Sequence, residues 1–172
     1  MVHTQYPTRD GKQSIDNETS RMAEVIIQES THIPAPPHVV HAILADYHDG
    51  HPSILPPRWF THLQVEQGGV GAGTVIRFGM KSGGRVREMR AEVSEPEPGR
   101  VLVERGLDER GTVTTFTVDP AGADGSRVTI RTTWRAAGFA GFVERLLAPM
   151  LLKRVYREEL ARLEERAGAA HR

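Results

Sequence analysis

Cysteine is absent from the 172 residues, which removes disulfide frameworks, thiolate nucleophiles and thiolate metal sites together. Net charge is absent as well. The 22 Lys and Arg balance 22 Asp and Glu, so no overall field draws in a polyanion, and nucleic acid is not an expected partner. No run approaches the ~20 apolar residues that a spanning helix needs, which argues against integral membrane association. Missing too are the HExxH pair, the Walker loop, the GxSxG elbow, the EF-hand loop and the Gly-rich dinucleotide turn. No cofactor and no metal are therefore expected. The opening MVHTQYPTRDGKQSIDNETS has no apolar stretch of the signal-peptide kind. It reads as a flexible leader over residues 1–20, and a cytoplasmic location is the expectation.

What is present suits one folded unit. Hydrophobic residues make up 38% and charged residues 26%, enough to collapse around one core and stay in solution. Two halves of this length would each bury too little apolar surface. A single domain over residues 21–167 is expected, with a short tail at 168–172.

The first periodic segment, MAEVIIQESTHI at 22–33, is rich in β-branched residues and ends at a proline turn, as a strand does. It places Val25, Ile27, Glu29, Thr31 and Ile33 on one face. APPHVVHAILADY then spaces Val39, Val40, Ile43, Leu44 and Tyr47 at helical intervals after prolines suited to a first turn. DGHPSILPPRWF has room for a turn or two of helix at most. From Trp59 to Arg135 six short extended runs alternate with GGVGA, SGG, PEPG, ERG and AGADG, the pattern of an antiparallel meander. Gly68, Gly69, Gly71 and Gly73 belong to the first of these hairpins, because no helix follows them to cradle a phosphate. The final segment, GFAGFVERLLAPMLLKRVYREELARLEERAGAAHR, repeats Phe139, Phe142, Val143, Leu146, Leu147, Met150, Leu151, Val155, Leu160 and Leu163 at helical spacing and is the longest helix. A seven-stranded sheet with one long helix buries one face only, and curvature leaves more room beneath the helix than side chains fill.

STHIPAPPHVVHAILADYHD carries Ile33, Pro34, Ala35, Pro36, Val40, Leu44, Asp46 and Tyr47, and a G-x-G-T turn follows at Gly71 to Thr74. In these motifs and in its element order, from about Met22 to Glu165, the chain resembles the START/Bet v 1-like (SRPBCC) superfamily, in particular its polyketide cyclase/dehydrase and lipid transport branch. The resemblance implies an α+β helix-grip fold: a seven-stranded curved antiparallel sheet around a long C-terminal helix, with two short helices after the first strand. Relatives include polyketide cyclases and dehydratases, carriers of sterols and hormone-like ligands, and co-chaperones. These motifs are architectural and leave function open.

Within that fold the residues near the open end are Tyr47, Phe60, Phe78, Trp134, Phe142, Leu146 and Met150, and these are the expected ligand contacts. Thr132 joins them because strand parity puts it beside Trp134. Parity also turns Glu29 and Arg87 inward, and an enclosed carboxylic acid is a candidate acid or base. His48 and His51 stand beside Asp46 and Asp49, but Gly50 and Pro52 argue against a helical metal pair, and this segment reads as solvated. His38 and His41 read as an outward face.

The expected function is binding of a small hydrophobic, lipid-like or polyketide-like molecule in an internal cavity. One alternative is a cyclase, dehydratase or aromatase using an interior carboxylate, with Glu29 and Arg87 as its catalytic residues. Another is a protein-interaction or stress-response module, against which the alternation of Arg and Glu on the strands counts. A small apolar or amphipathic molecule is the expected partner, and a monomer or weak homodimer the expected state.

Overall fold

The structure, a computed structural model, describes residues 22–170 except 83 and 110, and the side chains of these except at 22–23, 82 and 136–148. The leader at 1–20 lies outside the described residues.

The chain runs β1 (Met22–Ile33), α1 (Pro37–Ala45), α2 (Gly50–Ile54), β2 (Phe60–Gln67), β3 (Val75–Ser82), β4 (Arg85–Glu97), β5 (Val101–Gly106), β6 (Val113–Pro120), β7 (Ser126–Ala137) and α3 (Gly138–Ala170). One seven-stranded sheet has the order β1-β7-β6-β5-β4-β3-β2, and every pairing is antiparallel. Strands β2 to β7 form the meander. The two short helices carry the chain from one sheet edge to the other, so β1 and β2 are the edges. This is the helix-grip fold that the element order implies.

Local chemistry fixes the crossing. Pro36 is extended, at φ −60° and ψ 148°, and Pro37 occupies the first turn of α1, where a missing N–H costs nothing. The buried Ser126 hydroxyl donates to the Ala35 carbonyl at 2.7 Å and ties this turn to the start of β7. Beyond α1 the Asp46 carboxylate accepts the backbone N–H groups of His48, Asp49 and Gly50. Burial pushes the Asp46 carboxyl up, but these three bonds, with the Gly50 bond the largest of them, leave it below its ordinary value. Gly50 admits no side chain, since a Cβ there would stand 2.5 Å from the Ile43 carbonyl oxygen. That contact sets α2 directly against α1. Gly69, at φ +133°, would drive a Cβ into the His48 ring, and its carbonyl accepts the Tyr47 N–H at 2.9 Å. The α1–α2 corner is thus locked onto the β2–β3 turn.

The core lies between the concave sheet face and the helices. Ile33, Val40, Leu44, Leu102, Val128 and Leu163 are fully buried, and α3 adds Val155, Leu160 and Ala167. His41 is a correction to the sequence reading. It is buried and faces Glu95 at 3.9 Å, because α1 lies flat on the core and leaves only a narrow strip, which includes His38, to solvent.

Candidate functional site

Sheet and helix do not close on each other everywhere. A cavity of about 210 Å³ remains between them. One wall comes from Phe60 and Leu63 on β2, Ile76, Phe78 and Met80 on β3, and Met89 on β4. The Phe60 and Phe78 rings pack at 6.2 Å, tilted by 47°. The other wall comes from Phe116 on β6, Trp134 on β7 and Leu151 and Leu152 on α3. Arg87 also lines the cavity and is exposed, so it marks the side that meets solvent.

Polar groups gather at the base. Tyr47, buried in the α1–α2 corner, donates its hydroxyl to Glu104 Oε1 at 2.7 Å. Burial and then the Glu104 charge hold this phenol well above its ordinary pKa. The ring of Tyr47 stacks on His51 at 4.6 Å, and Phe116 meets the other side of His51 edge-on at 5.5 Å. His51 Nδ1 lies 2.8 Å from the Leu44 carbonyl oxygen. A carbonyl only accepts, so Nδ1 carries the proton and Nε2 is left facing Glu104 Oε1 at 3.6 Å.

Beside this pair, Tyr156 and Thr132 share a hydrogen bond of 2.6 Å, and Thr132 and Thr114 share one of 2.9 Å. Burial raises the Tyr156 phenol, and the Thr132 bond only partly offsets it. Glu159 completes the base. It is 3% exposed, lines the cavity, and makes no hydrogen bond to any described residue. Burial first, and the Glu104 charge second, push its carboxyl up to about 8. At neutral pH Glu159 is an enclosed carboxylic acid beside a carboxylate.

The sequence-predicted residues divide. Phe60, Phe78, Arg87, Thr132 and Trp134 line the cavity together. Tyr47 stands one layer behind, as the group that holds Glu104. Glu29 lies outside the lining: Arg157 binds its two oxygens at 3.1 and 3.2 Å, and Lys153 stands 3.9 Å away. Parity did turn it toward α3, but β1 is the sheet edge, where the flank of the helix supplies cations. Met150 is 72% exposed and turns away from the cavity, since its neighbours Leu151 and Leu152 take the inward positions on that turn. The side chains of Phe142 and Leu146 lie outside the described residues.

Glu104, Thr114, Tyr156 and Glu159 were not singled out from the sequence, and His51 was weighed there only as a metal ligand. Glu104 shares strand parity with the buried Leu102, and Glu159 falls within the helical stripe of Val155, Tyr156, Leu160 and Leu163. A charge in phase with an apolar stripe was the available signal. His51, read as solvated, is 3% exposed because the Gly50 contact presses α2 inward.

A long helix gripped by a curved sheet around an internal cavity defines the helix-grip class. Within that class the chain belongs to the polyketide cyclase/dehydrase and lipid transport family, whose model matches residues 24–168. Among solved structures the KanY protein is similar at 33% identity and TM-score 0.74, over 85% of this chain and 99% of that one. TTHA0849 from Thermus thermophilus is similar at 24% identity and TM-score 0.70, over 86% and 99%. The ZhuI aromatase/cyclase of a Streptomyces species shares the fold at 18% identity and TM-score 0.70, over 87% and 97%. No curated protein sequence matches. The fold provides a cavity able to take a small hydrophobic ligand. Among the described residues no group of three or more His, Cys, Asp or Glu is placed to hold a metal ion, and no helix is long and apolar enough to cross a membrane.

Proposed function

We propose that the protein binds a small, mostly apolar molecule, lipid-like or polyketide-like, with its body against Phe60, Phe78, Phe116 and Trp134 and its polar end at the Thr132 and Glu104 base. The observation that supports this reading is the division of the cavity lining into apolar walls and one polar base, the composition that both buries and orients a ligand. Trp134 in the wall supplies the readout. An apolar ligand seated there changes Trp fluorescence, and Trp134→Phe removes that change while leaving displacement of a bound hydrophobic dye intact. If neither signal responds to any apolar molecule tried, and native mass spectrometry finds the protein bare, the reading fails.

One observation favours a second reading, cyclase or dehydratase chemistry. Glu159 is an enclosed acid that keeps its proton at neutral pH, next to the Glu104 and His51 pair. In a dehydration, Glu159 gives its proton to the departing hydroxyl while a base takes one from the neighbouring carbon, and water leaves. Arg87, on the exposed side, steadies the substrate's carbonyl oxygen. In this reading Glu159→Gln loses turnover by about a hundred-fold or more and keeps ligand binding; unchanged turnover of a β-hydroxyketone substrate would sink it.

A further inference from the structure

The geometry points to an amphiphilic amine as the ligand: a protonated primary or secondary amino group seated between Glu104 and Glu159, with an aryl or alkyl body along the Phe60, Phe78 and Trp134 walls. This rests on the reading of the cavity as a ligand site.

Three observations support it. The first is the sign of the lining. Its described side chains include three acids, Glu104, Asp108 and Glu159, against one cationic residue, Arg87; Arg87 and Asp108 are both exposed, which leaves Glu104 and Glu159 as the charges of the enclosed part. The second is an account of donors and acceptors at the base. Tyr47 is spent on Glu104, His51 Nδ1 on the Leu44 carbonyl, and two of the three hydroxyl protons of Thr114, Thr132 and Tyr156 on the bonds that join them, while the Trp134 indole N–H in the wall has no partner among the described residues. Glu159 is left without a donor among the described residues, and so is Glu104 Oε2. A carboxyl group enclosed to this degree with no donor is costly unless something brings one.

The third observation is the chemistry that fills the gap. An ammonium group carries two or three N–H donors and no acceptor, so it serves both carboxyl groups at once. Its charge also opposes the one that Glu104 imposes on Glu159. Aromatic walls suit the same group, because ring faces attract cations. An alcohol supplies a single donor and no charge. A carboxylate would set a second negative group beside Glu104 in a base so enclosed that Glu159 keeps its proton.

The test uses the full chain and three probes of nearly equal shape: 2-phenylethylamine, 2-phenylethanol and phenylacetate, titrated calorimetrically and by Trp fluorescence at pH 7. The amine is expected to bind about ten-fold or more tightly than the alcohol, with phenylacetate weakest. Glu159→Gln keeps the shape but adds an N–H donor of its own, and is expected to erase that preference while the alcohol's affinity holds. Should circular dichroism show this variant unfolded, Glu104→Gln and the wild-type ranking decide. If alcohol or phenylacetate equals the amine on the wild type, the amine inference is overturned while the cavity reading stands. If none of the three binds and no hydrophobic dye binds either, the cavity reading falls and takes this inference with it.

Discussion

Strands β5, β6 and β7 and helix α3 run through two regions that the chain treats in opposite ways. At the closed end the inward positions are Leu102, Val118 and Val128 with Leu163 and Ala167 above them, all 0 to 2% exposed. A few positions along the same elements the inward residues become Glu104, Thr114, Thr132, Tyr156 and Glu159, and space opens. Backbone pairing continues through both regions. Side-chain volume and polarity alone distinguish core from site, so one end holds the fold while the other gives up stability to keep a charged, hydrogen-bonded hollow.

The largest test of that contrast is a truncation at each end. Leu163→Ala, in a place with no room to collapse, is expected to cost roughly 3 to 5 kcal/mol in urea unfolding. Phe78→Leu, beside an existing hollow, is expected to cost only about 1 kcal/mol. Equal losses at the two positions would mean that the cavity end is packed as tightly as the core.

Next in size is a pH effect confined to the open end. Glu159 has its carboxyl pushed from an ordinary 4.5 up to about 8 in the folded chain. Between those values the unfolded chain has released its proton and the folded chain has not, so raising the pH favours unfolding. The contribution is fully present below pH 4.5, falls through the window at no more than about 1.4 kcal/mol per pH unit, and levels off above about 8. Relaxation and entry of water bring the expected total to about 2 to 3 kcal/mol. Glu159→Gln is expected to flatten this slope and to raise Tm at pH 8.5. If the variant's Tm profile from pH 5 to 9 overlays the wild type's, Glu159 does not titrate as its surroundings require.

The same two ends explain what was legible in the sequence. Where a side chain follows the period of its element, the reading works: Ile76, Phe78 and Met80 do line the cavity from one face of β3, with Thr74 just before the strand, and the first strand spans the residues its β-branched run marks out. Polar residues on inward positions are harder, because parity gives the face and says nothing of the neighbour across the core. Glu104 and Glu159 lie on different elements, 55 positions apart, and come together only when α3 and the sheet enclose one cavity. His51 needs the tertiary contact at Gly50 to turn it inward. Met150 fails for the reverse reason, since a wide apolar arc at the start of α3 does not say which residue of each turn faces in.

A smaller effect separates the hydrogen-bonded base from ordinary polar surface. Thr132→Val keeps the shape but removes the oxygen that joins Tyr156 to Thr114. The buried Tyr156 hydroxyl and the half-buried Thr114 hydroxyl lose their shared partner, and the expected loss is about 1 to 3 kcal/mol. Thr129→Val, on the outward side of β7, breaks only the exposed bond with Ser30 and is expected to change stability by less than about 0.5 kcal/mol.

The smallest expected effect belongs to Glu29, the carboxylate that sequence parity selected. It sits on an edge strand, and its main partner, Arg157, is 64% exposed at its side chain, so water screens the pair and the long arginine loses entropy in making it. Glu29→Gln should therefore cost less than about 1 kcal/mol. It should also leave apolar ligand affinity unchanged, because the residue lies outside the cavity lining. Glu104→Gln should do the opposite, changing ligand affinity by about ten-fold or more through the pocket base. A ten-fold change in affinity from Glu29→Gln would mean that the edge of the sheet and the flank of α3 act on the cavity, and that the boundary between site and scaffold runs through β1 rather than between β7 and α3.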